Sequence, residues 1–405
     1  MFLGLDVGAS YAKLVVIDAN NKIMHSGREL MPLLNIDNNI AECNINKIIQ
    51  TVHGLISSID ESIKNKIKRI AVTGQMHGIL LVDEKNVPLT NFISWQDNRS
   101  TEPLNNNGTY LSFLKKNLLK YRGVTGTEIR PGMMGSILFW LRCNYSQIFN
   151  SKKVKATFLS DYIVSLLTDT RPVCDPTNAA GSGIYNIKSN KWIEDYFSLT
   201  GIPEDVLPDV VKSNAIVGEV NSKATHFLGI KEGVSVVSSF GDYQTAIHAS
   251  EIDKKSIAIN IGTGSQVSFL IDKFEESKKY EIRPHVNNLY TKCFSGLPGG
   301  RYIELFESFV NNVYQINRST EHDFKVEGLR LTLVDSLVDN YYNAYQKLLT
   351  TREKLKVNSI ILSGGVGRKS SLVQQAIKNK FNLKVVLPKS VNDAAYGVAL
   401  LSKNA

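Results

Sequence analysis

The sequence has no closely spaced cysteines and no long apolar run. Its four cysteines, Cys43, Cys143, Cys174 and Cys293, lie far apart and form no Cys-x-x-Cys pair. That spacing argues against a disulfide frame or a zinc knuckle. It suits a reducing compartment, so a cytoplasmic location is expected. A membrane span needs about 20 consecutive apolar residues, and no stretch approaches that, so no membrane partner is expected. No basic segment precedes the first apolar run, and Asp6 breaks that run, which does not read as a signal peptide. Low-complexity tracts are missing too. The net charge of +9 comes from scattered residues, with only short basic clusters at 64–69, 152–155 and 254–255. No motif supports nucleic acid as a partner. An anionic small substrate accounts for such a charge equally well.

What is present is length and a globular balance. The 405 residues, 43% apolar and 21% charged, suit two units of about 150–250 residues each. The most informative stretch is 2–18. An apolar run ends on Asp6, Gly8-Ala9-Ser10 form a small-residue turn, and 13–17 is apolar and β-branched again. Backbone N–H groups in such a hairpin can point at phosphate oxygens. Asp6 could hold a hydrated Mg²⁺, and Lys13 could neutralise anionic oxygen. An ordinary β-hairpin also explains the stretch on its own.

A second copy changes that balance. Laying Gly262 on Gly8 sets Asn260 on Asp6, Thr263 on Ala9, Ile271 on Ile17 and Asp272 on Asp18. Each hairpin is followed by a helical stripe (45–59 and 333–348), then a strand (68–73 and 358–363) and a glycine turn. Two similar α/β halves, each offering a phosphate hairpin, leave a nucleotide cleft between them. The expected fold is two ribonuclease-H-like domains of the actin-like ATPase type.

Three further stretches read as site. His77 lies in a glycine-flanked loop just past a strand, where α/β sheets face their ligand crevice. Trp95, Asp97 and Arg99 group an aromatic plate, a carboxylate and a guanidinium, as a polyol site would; a capped loop with an ion pair is the alternative. Asp242 follows a buried strand at a helix start, well placed as a general base for a hydroxyl attacking a γ-phosphate. Capping of that helix is the structural alternative and is compatible with catalysis.

Together these motifs resemble the FGGY carbohydrate kinases, and within them the sedoheptulokinase branch. Asp6-x-Gly8-x-Ser10-x-x-Lys13 is similar to the family's first phosphate motif. Gly74-Gln75-Met76-His77-Gly78 resembles its sugar loop, and Trp95-Gln96-Asp97-x-Arg99 the form found in that branch. Gly241-Asp242-x-Gln244-x-Ala246 resembles the catalytic motif. The resemblance implies Asp242 as base and Asp6 as catalytic metal-organising residue. Gln75, Met76, His77, Trp95, Asp97, Arg99 and Asp242 would surround the sugar. Gly8, Ser10, Lys13, Gly262, Thr263, Gly264, Gly364, Gly365 and Ser370 would hold ATP. The implied division is 1–248 for sugar and 249–405 for nucleotide, with ATP and Mg²⁺ required. The implied reaction phosphorylates the terminal hydroxyl of a ketose, sedoheptulose first and D-xylulose second. A homodimer is open to the chain. The family's usual insertion after Ile316 is missing. That keeps a non-catalytic nucleotide-binding regulator as a second reading, ahead of an actin- or chaperone-like ATPase.

Overall fold

The computed structural model describes residues 1–150, 153–316, 323–388 and 393–405. Of the segment 317–328 after Ile316, 323–328 already belongs to the helix Asp323–Leu348 and 317–322 falls outside the described residues. So do Lys152 of the basic cluster at 152–155 and Asn392, expected to open the last helix.

Each glycine hairpin seeds one sheet. In the first, β1 (Phe2–Val7), β2 (Tyr11–Ile17) and β3 (Ile23–Leu30) form an antiparallel meander. β4 (Arg69–Gly74) adds in parallel on the other side of β1, followed by β5 (Ser235–Val237) and an antiparallel edge strand, Ile216–Glu219. In the second, β6 (Ser256–Ile261) and β7 (Ser265–Ile271) form the hairpin. β8 (Glu281–Pro284) and β9 (Tyr290–Leu297) extend it on one side, β10 (Ser359–Ser363) and β11 (Lys384–Val386) on the other, in the order β8-β9-β7-β6-β10-β11. Both sheets therefore place a meander beside parallel strands, as the sequence repeat requires. The stretch 191–197, which reads as helical in the sequence, opens instead with a paired strand at 191–192, and its helix runs Glu194–Thr200.

The two hairpins match in strand length, with strands of six and seven residues in each, but not in register. Asp6 pairs with Lys13, whereas Asn260 pairs with Gln266. The second turn closes one residue tighter, joining Ile261 to Ser265 where the first joins Val7 to Ala12. A one-residue slip exchanges the faces of a strand. Val267, at the sequence place of Lys13, is accordingly core, 0% exposed.

One face of the first sheet carries α1 (Ile45–Ser57) and α2 (Leu159–Thr168), whose apolar stripes (Ile48, Val52, Leu55; Tyr162, Ile163, Leu167) bury against Leu3, Leu5 and Ile70. The opposite face carries α3 (Asp242–Ala249) and, later in the chain, the final helix. The second sheet is covered by α4 (Gly300–Ile316), α5 (Asp323–Leu348) and α6 (Ser371–Phe381), with Val334, Leu337, Tyr341 and Tyr345 facing Ile257, Ile259 and Val267.

The final helix, α7 (Asp393–Lys403), does not stay with the second sheet. It returns to β1 and α3 of the first, so a cut at 248/249 divides the sequence but not this layer. The approach is close: a Cβ on Gly4 would lie 2.2 Å from Ala395 O, and one on Gly397 would lie 1.9 Å from Thr245 O. The β8–β9 connection makes a second such contact, since Val286 buries among Ala71, Phe240, Val398 and Leu401. Among the described residues, all four cysteines are free and no helix is long and apolar enough to cross a membrane.

Candidate active site

Three neighbouring strands end together in the first half. β1 ends at Val7, β4 at Gly74, and the short strand Phe240–Gly241 pairs with the end of β4. Gln75 N–H donates to Val7 O at 3.0 Å and locks the first two ends. Asp6, the Gln75–His77 loop and Asp242 leave the sheet at these three ends, where parallel strands present ligand sites.

Asp6 is 4% exposed, and its Oδ1 has no hydrogen-bond partner. Burial first, then the charge of Asp242, push its carboxyl up to about 7; Lys13 partly offsets this. Lys13 Nζ lies 4.0 Å from Asp6 Oδ2. Asp242 is the first residue of α3, and its Oδ1 accepts the Tyr243 N–H at 2.7 Å. Burial raises its carboxyl to about 6, against the pull of that N–H, Arg283 and Lys13. Two acids thus share one low-dielectric corner with one lysine and one arginine. Ser10 and Gly8 complete the first turn; a Cβ on Gly8 would meet Tyr11 O at 2.9 Å, so the turn closes only around glycine.

His77 and Gly78 both take left-handed backbone angles, φ 70° and 69°. Met76 is buried against Gly241, where a Cβ would meet its Sδ at 3.0 Å. His77 Nδ1 lies 2.6 Å from Gly181 O. A carbonyl only accepts, so Nδ1 carries the proton and Nε2 keeps a lone pair. Burial is the main reason its pKa falls to about 4; His77 is neutral at pH 7. A small cavity beside it is lined by Met76, Arg130, Gly181, Glu281 and Arg283.

Glu281 and Arg283 were not among the residues expected at the site. They sit on one face of β8, two residues apart, and reach the first half. Glu281 Oε2 accepts Arg283 Nε at 3.0 Å, and its Oε1 takes Arg130 and, at 2.6 Å, Ser295 Oγ. These cations hold the Glu281 carboxyl down to about 2. The Arg283 guanidinium lies 4.6 Å from the Tyr243 ring centroid. The Glu-x-Arg alternation in a strand was visible in sequence, but nothing local tied it to His77.

The Trp95–Arg99 cluster divides by role. Trp95 is 45% exposed, and its carbonyl touches Gly132, whose own carbonyl accepts Gly78 N–H at 2.7 Å. The Trp95 backbone is thus tied to the His77 loop through Gly132. Asp97 and Arg99 do not meet the expectation that they face a sugar. Asp97 is 0% exposed and grips Arg99 with two bonds of 2.8 Å. Asp97 Oδ2 also accepts Ala41 N–H at 2.8 Å, and Arg99 reaches Glu42 at 2.5 Å and stacks on Trp140. Their polar capacity is spent inside the loop.

The second hairpin presents a tight turn. Gly262 N–H donates to Gly264 O at 3.0 Å, leaving Thr263 and Gly264 exposed. Gly300 N–H donates to Gly262 O at 2.7 Å. Gly364 takes φ 83°, and a Cβ there would lie 2.4 Å from Ile261 O; Gly365 has open space around it. Asn260 Nδ2 donates to Ser363 Oγ at 3.0 Å, joining the ends of β6 and β10. Ser370 caps α6, accepting Val373 N–H at 3.3 Å; that hydroxyl has a structural use already. Strand ends of the second half therefore gather Thr263, Gly364 and Gly365 as those of the first gather Asp6, His77 and Asp242.

The model of the N-terminal domain of the FGGY family of carbohydrate kinases matches residues 1–248. The chain belongs to the FGGY family of carbohydrate kinases. This FGGY chain is 28% identical over 289 residues to a gluconokinase of Bacillus subtilis, covering 69% of this chain and 54% of that protein. It is 23% identical to a sedoheptulokinase of Mus musculus over 65% of this chain and 57% of the mouse protein. The chain thus aligns to little more than half the length of these curated relatives. A ligand-bound xylulose kinase structure from Lactobacillus acidophilus superposes with a TM-score of 0.83 at 21% identity, covering 99% of this chain and 88% of the other. That likeness shows the two-domain actin-like fold.

Proposed function

We propose that this chain transfers the γ-phosphate of ATP to the terminal hydroxyl of a ketose. The observation that carries the reading is the convergence of Asp6 and Asp242 at adjoining strand ends, beside Lys13 and Arg283 and next to the neutral His77. In this reading residues 1–248 carry the sugar and 249–405 the nucleotide. Asp242 accepts the proton of the attacking hydroxyl, and its raised pKa brings it nearer the working pH. His77 Nε2 accepts a hydrogen bond from a sugar hydroxyl, Trp95 offers a face to the sugar's carbon skeleton, and Lys13 meets phosphate oxygen. Thr263 and the exposed turn at Gly262–Gly264, with Gly364 and Gly365, supply donors to the nucleotide. Phosphoryl transfer is mostly positioning and charge stabilisation, so placement matters more than any one pKa.

Mg²⁺ suits the Asp6 corner, because Oδ1 is a buried carboxylate oxygen without a partner. Among the described residues no cluster of three or more His, Cys, Asp or Glu could hold a metal. Asp6 would therefore hold a largely hydrated ion, which neutralises polyphosphate charge when bound.

Sedoheptulose is the favoured substrate and D-xylulose the second. Relatives named for sedoheptulose and gluconate, and a structural neighbour named for xylulose, support a sugar of this general kind. ADP release measured across sedoheptulose, xylulose, ribulose, gluconate and glycerol tests the reading. Turnover on a ketose that collapses in Asp242→Asn is expected. ATP binding without turnover on any of these sugars favours a nucleotide-binding regulator instead.

A further inference from the structure

The stretch Asp175–Asn178 has no role in the proposed reaction. In the fold it lies behind the strand that delivers Asp242. Asp175, Thr177 and Asn178 are all at most 1% exposed, and the side chains of Thr177 and Asn178 reach residues 239–241. Gly241 N–H donates to Thr177 Oγ1 at 2.9 Å. The same hydroxyl donates its one proton to Asp175 Oδ1 at 2.6 Å. Asp175 thereby fixes which way the hydroxyl lone pairs point. Asp175 is anchored in turn: Oδ1 accepts Asn178 N–H at 3.0 Å and Oδ2 accepts Ser213 Oγ at 2.6 Å.

The preceding residues are held as well. Asn178 Nδ2 donates to Ser239 Oγ at 2.7 Å, and that hydroxyl donates to the buried Asp161. Thr73 Oγ1 donates to Phe240 O at 2.8 Å. The residue at 241 is glycine, and a Cβ there would crowd the buried Gln244 side chain, 2.4 Å from its Oε1. The freest backbone in the segment therefore sits immediately before Asp242. The Thr177 hydroxyl removes that freedom.

We propose that Asp175, acting through Thr177, positions Asp242 by clamping the Gly241 amide, and so sets the direction in which the carboxylate leaves the strand end. The proposal rests on the reading of Asp242 as the base. Neither Asp175 nor Thr177 touches the sugar; they are positioning residues.

Thr177→Val keeps the shape and removes the acceptor, while Thr177→Ser keeps the hydroxyl. The readouts are kcat and KM for the best ketose, MgATP binding and thermal melting. Misplacement by a fraction of an ångström predicts a kcat loss of about tenfold or more in Thr177→Val, with KM and MgATP affinity changed less than about threefold. Thr177→Ser returns kcat to within about threefold of the parent. An unchanged kcat in folded Thr177→Val overturns the proposal, as does a kcat loss that Thr177→Ser does not recover. If Thr177→Val fails to fold, Ser213→Ala withdraws one anchor of Asp175 and lowers kcat in the same direction. An unchanged kcat in Ser213→Ala then counts against the clamp. Asp242→Asn separates the two ideas. Turnover lost there but intact in Thr177→Val removes only the clamp. Full turnover in Asp242→Asn, or none in the parent chain, removes the base and the clamp together.

Discussion

Lys13 Nζ stands 4.0 Å from Asp6 Oδ2, across the rung that pairs their backbones in the first hairpin. The same rung of the second hairpin pairs Asn260 with Gln266. Of the two hairpins, only the first carries a charged pair at this rung. Replacing Lys13 by Met removes one charge-assisted bond worth about 1.5–3 kcal/mol. The expected result is ATP binding weakened by about 10–100-fold, read by titration calorimetry, with the sugar KM nearly unchanged.

With Asp242 as the proposed base, the acid limb of activity follows its carboxyl. A base must be deprotonated to work, and burial has raised this carboxyl to about 6. The value of kcat/KM therefore falls as pH drops through about 7 to 6, where the paired acids Asp6 and Asp242 take up protons. His77, held near 4, contributes no limb at the usual histidine value. A profile measured in ADP release that breaks near 4, the ordinary range of an exposed Asp, contradicts the raised carboxyl of Asp242.

His77 has a separate signature in stability. Its folded pKa lies below the 6.5 of an unfolded histidine. Its contribution is thus fully present above pH 6.5 and is lost as pH falls toward 4, because the unfolded chain binds the proton more readily. The parent melting temperature declines more steeply than that of His77→Asn across this window. Parallel curves from the two proteins refute a neutral, half-buried imidazole.

Arg99 and Trp95 have opposite effects when replaced. Arg99→Ala strands the buried Asp97 carboxylate and costs about 3–5 kcal/mol of stability, while the remaining folded enzyme keeps its sugar KM. Trp95→Ala changes stability by about 0.5 kcal/mol or less and raises the sugar KM. Chemical denaturation and steady-state kinetics on both variants distinguish the two roles.

Gly4→Ala tests the docking of α7. The new methyl would meet Ala395 O at 2.2 Å and Ala399 N at 2.6 Å, both backbone atoms that cannot swing aside. Overpacking of this kind costs about 3 kcal/mol. A melting temperature within a degree of the parent would mean that α7 sits farther from β1.

Much of this was legible in the sequence because the chain repeats itself. The hairpins, the following helices and the strand-plus-glycine turns gave both halves. Asp6, His77 and Asp242 stood out as strand-end residues. Two kinds of information were not local. The exchange of Gln266 for Val267 opposite Asn260 depends on the length of a turn, which an alignment without gaps hides. The Arg283–Glu281 contribution depends on β8 reaching the other half, and no spacing within 281–283 encodes that. Asp97 and Arg99 misled for the opposite reason. Their grouping with Trp95 is chemically the same whether it faces a polyol or closes on Glu42, and only burial separates the cases.

The return of α7 has a mechanical consequence. Because the chain leaves the first sheet after α3 and re-enters it at α7, the halves are joined by two covalent straps. A body tethered at two points swings about the line between them and resists twisting about any other. If the halves close around a sugar as proposed, they turn about that line, and the Val286 packing resists sliding along it.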